Sequence, residues 1–151
     1  MKAVSQQIIA HGNGDCFRCC VASILELDVE DVPNFRDHDR EDMNFLERWF
    51  HDRGLALLEL YYKDGAENRV RFDYICGAYA IADVPSQRFP GAKHAVVVRW
   101  VADPDHPGVV RLVVAHDPNP GNGPYDLNKL TIDILWFIVP VRPAVGVRDA
   151  A

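Results

Sequence analysis

Ala92 to Val101 and Val109 to His116 are two valine-rich runs separated by Ala102-Asp103-Pro104-Asp105-His106-Pro107-Gly108, a stretch crowded with turn formers. β-Branched side chains favour extended backbone, so the two runs read as the strands of a hairpin. That pairing puts the start of the first strand and the end of the second at one end of a sheet. Leu55 to Tyr62, Cys76 to Ala82 and Ile134 to Arg142 read as further strands.

The chain upstream is helical in pattern. An extended arm, Val4 to Ala10, leads into the turn His11-Gly12-Asn13-Gly14. Asp15 stands where an N-cap belongs, and Cys16 to Leu27 is apolar at most positions, which predicts a largely buried helix. Asp28 to Pro33 closes it with a turn or a helical turn. A second helix is expected from Arg40 to Arg53, with Asp39 as its cap and Gly54 as its stop. Its Met43, Leu46, Trp49 and Phe50 fall at helical spacing, the pattern of a stripe packed on a core rather than of a ligand box. Helices first and an antiparallel sheet afterwards is an α+β layout. At 151 residues the chain, 1–151, is expected to form one domain.

Charge and cysteine usage narrow the function. Sixteen Lys and Arg against 22 Asp and Glu leave −6, which favours neither nucleic acid nor an anionic membrane as partner. Ten acids and four bases between Glu26 and Arg53 account for the whole excess. That segment reads as a solvated helix face with its flanks, or alternatively as a docking surface for a basic partner. The longest apolar stretch, Ile134 to Val141, contains Pro140 and is too short to span a bilayer. The N-terminal residues lack the pattern of an export signal, so a cytoplasmic protein with free thiols is expected. Of the four cysteines, Cys16, Cys19 and Cys20 crowd into five positions, a poor layout for disulfides. Cys16-x-x-Cys19 with His11 or Cys76 would be the start of a zinc site, but no second Cys-x-x-Cys or His-x-x-x-His follows, so neither metal nor cofactor is expected.

A nucleophilic thiol needs a base within reach and donors for an oxyanion. Cys16 is expected in the first turn of a helix, where unpaired N–H groups and the dipole favour thiolate. His94 opens the strand His94-Ala95-Val96-Val97-Val98 behind Pro90-Gly91-Ala92-Lys93, and is the best base. Asp117 ends Val113-Val114-Ala115-His116-Asp117, and a hairpin brings it nearly opposite His94, where an acid fixes the imidazole tautomer. His116 is a rival base. Cys19 and Cys20 read as small buried residues. Asp117-Pro118-Asn119-Pro120-Gly121-Asn122-Gly123 also fits a plain loop.

Gly14-Asp15-Cys16-Phe17-Arg18-Cys19-Cys20-Val21-Ala22-Ser23, with His94-Ala95-Val96-Val97-Val98 and Asp117-Pro118, resembles a papain-like cysteine peptidase. The nearest branch is that of the small C39-like proteins of bacteria and their phages. With Leu25-Glu26-Leu27 and Val32-Pro33-Asn34-Phe35 the resemblance covers nearly the whole chain. It implies a papain-like fold, the nucleophile helix packed on an antiparallel sheet. It also implies cleavage of a peptide, amide or isopeptide bond in a peptide or protein substrate, through a Cys16-His94-Asp117 triad and an acyl-enzyme. The oxyanion glutamine departs from the pattern, because the position six residues before Cys16 is Ala10. Gln6 is favoured, since Lys2-Ala3-Val4-Ser5-Gln6 resembles the opening of the phage-type proteins. Gln7 and Asn13 are the alternatives.

Three other readings compete. Gly14-Asp15-Cys16-Phe17-Arg18 also resembles the nucleophile region of ovarian-tumour-type deubiquitinases, which usually carry an aromatic after the histidine where this chain has Ala95. Acyl transfer to an amine would use the same three residues. A binding module without turnover would dock its partner on the acidic segment.

Overall fold

A computed structural model of the chain describes residues 1–11, 14–35, 37, 44–61, 76–127 and 132–141. In chain order these form helix α1 (Cys16–Leu25), a 3-10 turn (Val29–Asp31), helix α2 (Asn44–His51) and strands β1 (Leu55–Tyr61), β2 (Tyr79–Pro85), β3 (Lys93–Ala102), β4 (Val110–His116) and β5 (Ile134–Pro140). The strands make one sheet in the order β1-β5-β2-β3-β4, antiparallel at every pairing. The architecture is α+β.

Both faces of the sheet are covered, which explains why Ala95 to Val98 is a continuous apolar run rather than an alternating one. Ala95 and Val97 pack with Val21 and Ala22 of α1, Phe50 of α2 and Ile81 of β2. Val96 and Val98 pack on the other side with Val84, Leu135 and Ile132, under a cover that includes Tyr125 and Leu127. The stripe Leu46, Trp49 and Phe50 does face the core, and Phe50 is fully buried in contact with Phe35 and Trp49. Met43 and the Asp39 cap lie outside the described residues, as does the start of the helix expected at Arg40.

Helix α1 ends two residues before the expected Leu27. Glu26 adopts a left-handed backbone (φ 59°), and the Leu27 N–H turns back to the Ala22 carbonyl at 3.0 Å, satisfying a terminal acceptor while Leu27 packs into the core. The second strand is displaced from the expected Cys76–Ala82 to Tyr79–Pro85. Gly77 turns with φ 93° and bonds the Trp100 carbonyl at 2.7 Å, so that pairing begins at Tyr79↔Arg99 and runs on to Pro85↔Lys93. Asp83 therefore lies inside a strand.

The β3–β4 hairpin carries one irregularity. Val98 pairs with Val114 but Val97 pairs with His116, so Ala115 is an extra residue in β4. An unbulged register would set Asp117 level with Ala95. Continued one residue past the last pair, Val97↔His116, the bulged register would set it level with Val96, and residues two apart in a strand share a face, which fits the bond that Asp117 makes with His94.

Candidate active site

Cys16 opens α1, His94 is the second residue of β3, and Asp117 follows the last residue of β4. The fold brings the three together. His94 Nε2 donates to Asp117 Oδ1 at 2.7 Å. Cys16 lines the same small slot as His94, and its side chain interacts with the ring closely enough to favour the imidazolium. With Nε2 committed to the carboxylate, Nδ1 is the nitrogen left for the thiol. Cys16 and His94 are each 6 % exposed, so the pair sits in a low-dielectric setting at the edge of a cleft.

Burial alone would depress the His94 pKa. Hydrogen bonds to Asp117 and Cys16, and the negative charge of both, outweigh it and raise the imidazole to about 9. Burial likewise opposes the charge on Asp117, yet bonds from His94, the Asn119 N–H (2.8 Å, to Oδ1) and Asn122 Nδ2 (2.9 Å, to Oδ2) hold its carboxyl below the ordinary value. The other two helix thiols differ sharply. Burial, then the charge of Asp15, pushes Cys19 up to about 12, and burial drives Cys20 well above the ordinary thiol range. Cys76 is exposed, away from the cleft. All four cysteines are free thiols, and among the described residues no group of three or more His, Cys, Asp or Glu is placed to hold a metal ion.

The loop after Asp117 is more than a connection. Asn119 Nδ2 donates to Asn122 Oδ1 (3.1 Å), the Gly121 N–H donates to Asn119 Oδ1 (3.0 Å), and Asn122 Nδ2 also reaches the Tyr125 hydroxyl (3.3 Å). The Tyr125 ring stacks on His94 with centroids 6.3 Å apart. Asn119, Asn122 and Tyr125 thus fix the rotamer of Asp117 and cover His94. Sequence reasoning missed them; the signal available was the density of Asn and Gly directly behind Asp117, chemistry that builds side chain–backbone turns.

The N-terminal arm is pinned by the residues that flank the three. Asp15 keeps the N-cap position but makes no capping bond. Its buried carboxylate instead accepts the backbone N–H groups of Gln7 (3.3 Å) and Ile8 (3.1 Å), because the arm folds back over the helix start and presents donors that have no other acceptor there. His116, the rival base, donates Nε2 to the Val4 carbonyl at 2.8 Å and anchors the arm. The Gln6 N–H donates to the Pro118 carbonyl at 2.7 Å.

Pinned in this way, Gln6 lines a slot of about 30 Å³ shared with Cys16 and His94. Its Nε2 donates to the Ile8 carbonyl at 2.7 Å, and its Oε1 is buried without a hydrogen-bond partner. Gln7 is tied to Asp15 through its backbone, and Asn13 lies outside the described residues. Gly14 makes the approach possible, since a Cβ there would stand 2.8 Å from Gln6 Nε2. The same Cβ would crowd the backbone carbonyls of Ala10 and Ile8 at 3.2 and 3.3 Å, so Gln6→Ala is the cleaner probe of the amide: it is expected to lower any Cys16-dependent turnover by about tenfold with the melting temperature little changed, and an unchanged rate would separate Gln6 from the chemistry.

On the other side of Cys16 lies a cavity of about 270 Å³ walled by Phe17, Phe35, Leu46 and Trp136, with Glu59 and Asp83 among its polar lining. Trp136 Nε1 donates to Glu59 at 3.0 Å. Cys16 thus stands between an apolar cavity and a polar slot. Compared with protein-family models, with curated proteins and with solved structures, the chain matches none of them. Among the described residues no helix is long and apolar enough to cross a membrane.

Proposed function

We propose that the chain is a thiol hydrolase with a papain-like arrangement, cleaving a peptide, amide or isopeptide bond in a peptide or protein substrate. The observation that supports this reading is His94, bonded through Nε2 to Asp117 at 2.7 Å and sharing a slot and an electrostatic interaction with the Cys16 side chain, so that Nδ1 is left to serve the thiol.

The imidazolium and thiolate stabilise one another by the same attraction that raises His94. The thiolate attacks the carbonyl carbon, and the developing oxyanion lies at the start of α1, where the dipole and the N–H groups of the first turn favour negative charge. Gln6 lines the same slot, and the Nε2 hydrogen not given to the Ile8 carbonyl would serve as a second donor. His94 then gives its proton to the leaving amine, the C–N bond breaks, and an acyl group remains on Sγ. Water, deprotonated by the now neutral His94, attacks the thioester and releases the acid. Asp117 holds the tautomer throughout. Free thiols fit a reducing, cytoplasmic setting for this chemistry.

The test is digestion of a proteome-derived peptide library by the chain and by Cys16→Ala, read by mass spectrometry. New termini formed by the first protein and missing with the second are expected; identical product sets would sink the proposal.

A further inference from the structure

The proton donor fixes the polarity of the cleft. His94 must reach the leaving amine, so the leaving group lies on the His94 side of Sγ, and His94 lines the 30 Å³ slot but not the apolar cavity. The slot shares Arg88 and Asn119 with a larger cavity of about 300 Å³, lined by Gln87, Arg88, Asn119, Gly121 and Asn122. Among the described residues no Asp or Glu lines either of them, while Arg88 lines both and Lys93 lines the slot and the cavity on the other side of Cys16. With Lys93 held by Asp133, Arg88 is the cation that this lining offers to an anionic group.

Most of its polar groups are already committed. Lys93 is ion-paired with Asp133. Gln87 and Gly123 bond one another twice, at 3.0 and 2.9 Å. Asn119 is spent on Gly121 and Asn122. Ser86 Oγ accepts the N–H groups of Arg88 and Phe89, which fixes the backbone that presents Arg88. The Arg88 guanidinium stands 5.8 Å from the Phe89 ring and, among the described residues, no carboxylate pairs with it. Its planar fork of donors suits a carboxylate.

We propose that Arg88 is a specificity-determining residue that binds a carboxylate on the leaving side of the scissile bond. The preferred substrates are amides whose leaving amine carries an acidic group, either an Asp or Glu side chain or a free C-terminal carboxylate. The proposal rests on Cys16 being the nucleophile.

The test needs no substrate. Alkylation of Cys16 by anionic iodoacetate and by neutral iodoacetamide is timed in the unmodified chain, Arg88→Gln and Arg88→Glu. The iodoacetate-to-iodoacetamide rate ratio is expected to fall by about threefold in Arg88→Gln and by about tenfold in Arg88→Glu. A reactive Cys16 whose ratio ignores both substitutions overturns the Arg88 proposal and leaves the hydrolase reading standing. An unreactive Cys16 in all three proteins overturns both. Peptide-library digestion separates the two carboxylate sources: Asp or Glu enriched just after the cleaved bond assigns the side chain, and cleavage lost on C-terminal amidation assigns the terminus. Cleavage indifferent to both contradicts the proposal.

Discussion

His94→Ala is expected to lower hydrolysis by about 10³–10⁴-fold at neutral pH, with the fold retained. The imidazole holds Asp117 at 2.7 Å and interacts with the Cys16 side chain, so under the proposed mechanism its loss removes the base, the proton donor for the leaving amine and the cation beside the thiolate together. Double substitution with Cys16→Ala is expected to cost little more than either change alone, because the residues act as a unit. Steady-state kinetics on any peptide found in the library, with circular dichroism as the check on folding, measures this. Full additivity of the two losses would mean that the residues work independently.

Asp117→Ala is expected to lower turnover by about 10²–10³-fold and to move the pH profile as well. With Asp117 present, His94 keeps its proton up to about 9, so turnover should fall on the alkaline side near that value. Without Asp117, burial is the largest influence left on the ring and it favours the neutral form, so the alkaline limb moves down toward the ordinary histidine value of 6.5. Stability follows the same sign. A histidine raised above its unfolded value stabilises the fold fully below pH 6.5, and that contribution disappears as the pH climbs through about 9. The gap between the melting curves of the two proteins should therefore be widest near pH 6 and narrow as the pH passes about 9, leaving the part owed to the bonds from Asn119 and Asn122. An unshifted alkaline limb would remove Asp117 from the site.

The parts of this arrangement that were legible in the sequence are those set by local pattern. The glycine-rich turn before an apolar run put Cys16 at a helix mouth, and the valine runs with their turn put His94 and Asp117 at one end of a hairpin. What was not legible depends on where distant segments meet. The Ala115 bulge that turns Asp117 toward His94 leaves no mark in a run of Val-Val-Ala-His, because its cause is the fit of β4 against β3. Asp15 carried the residue type of a cap, and only the path of the arm decided that its carboxylate bonds Gln7 and Ile8. The roles of Asn119, Asn122 and Tyr125 were hidden because a loop sequence does not say which side chain its amides will hold. Arg88, likewise, acquires its place only when the Ser86–Phe89 turn folds against the Asn119–Gly123 loop.

The central claim is that one of four thiols is a nucleophile and the others are not. Brief treatment with iodoacetamide near pH 6.5, followed by mass spectrometry of the four cysteine peptides, reads this directly. Cys16 is expected to alkylate about tenfold or more faster than exposed Cys76, and about a hundredfold or more faster than Cys19 and Cys20, whose thiols burial keeps protonated. Cys16 reacting no faster than Cys76, and equally fast after His94→Ala, would contradict it.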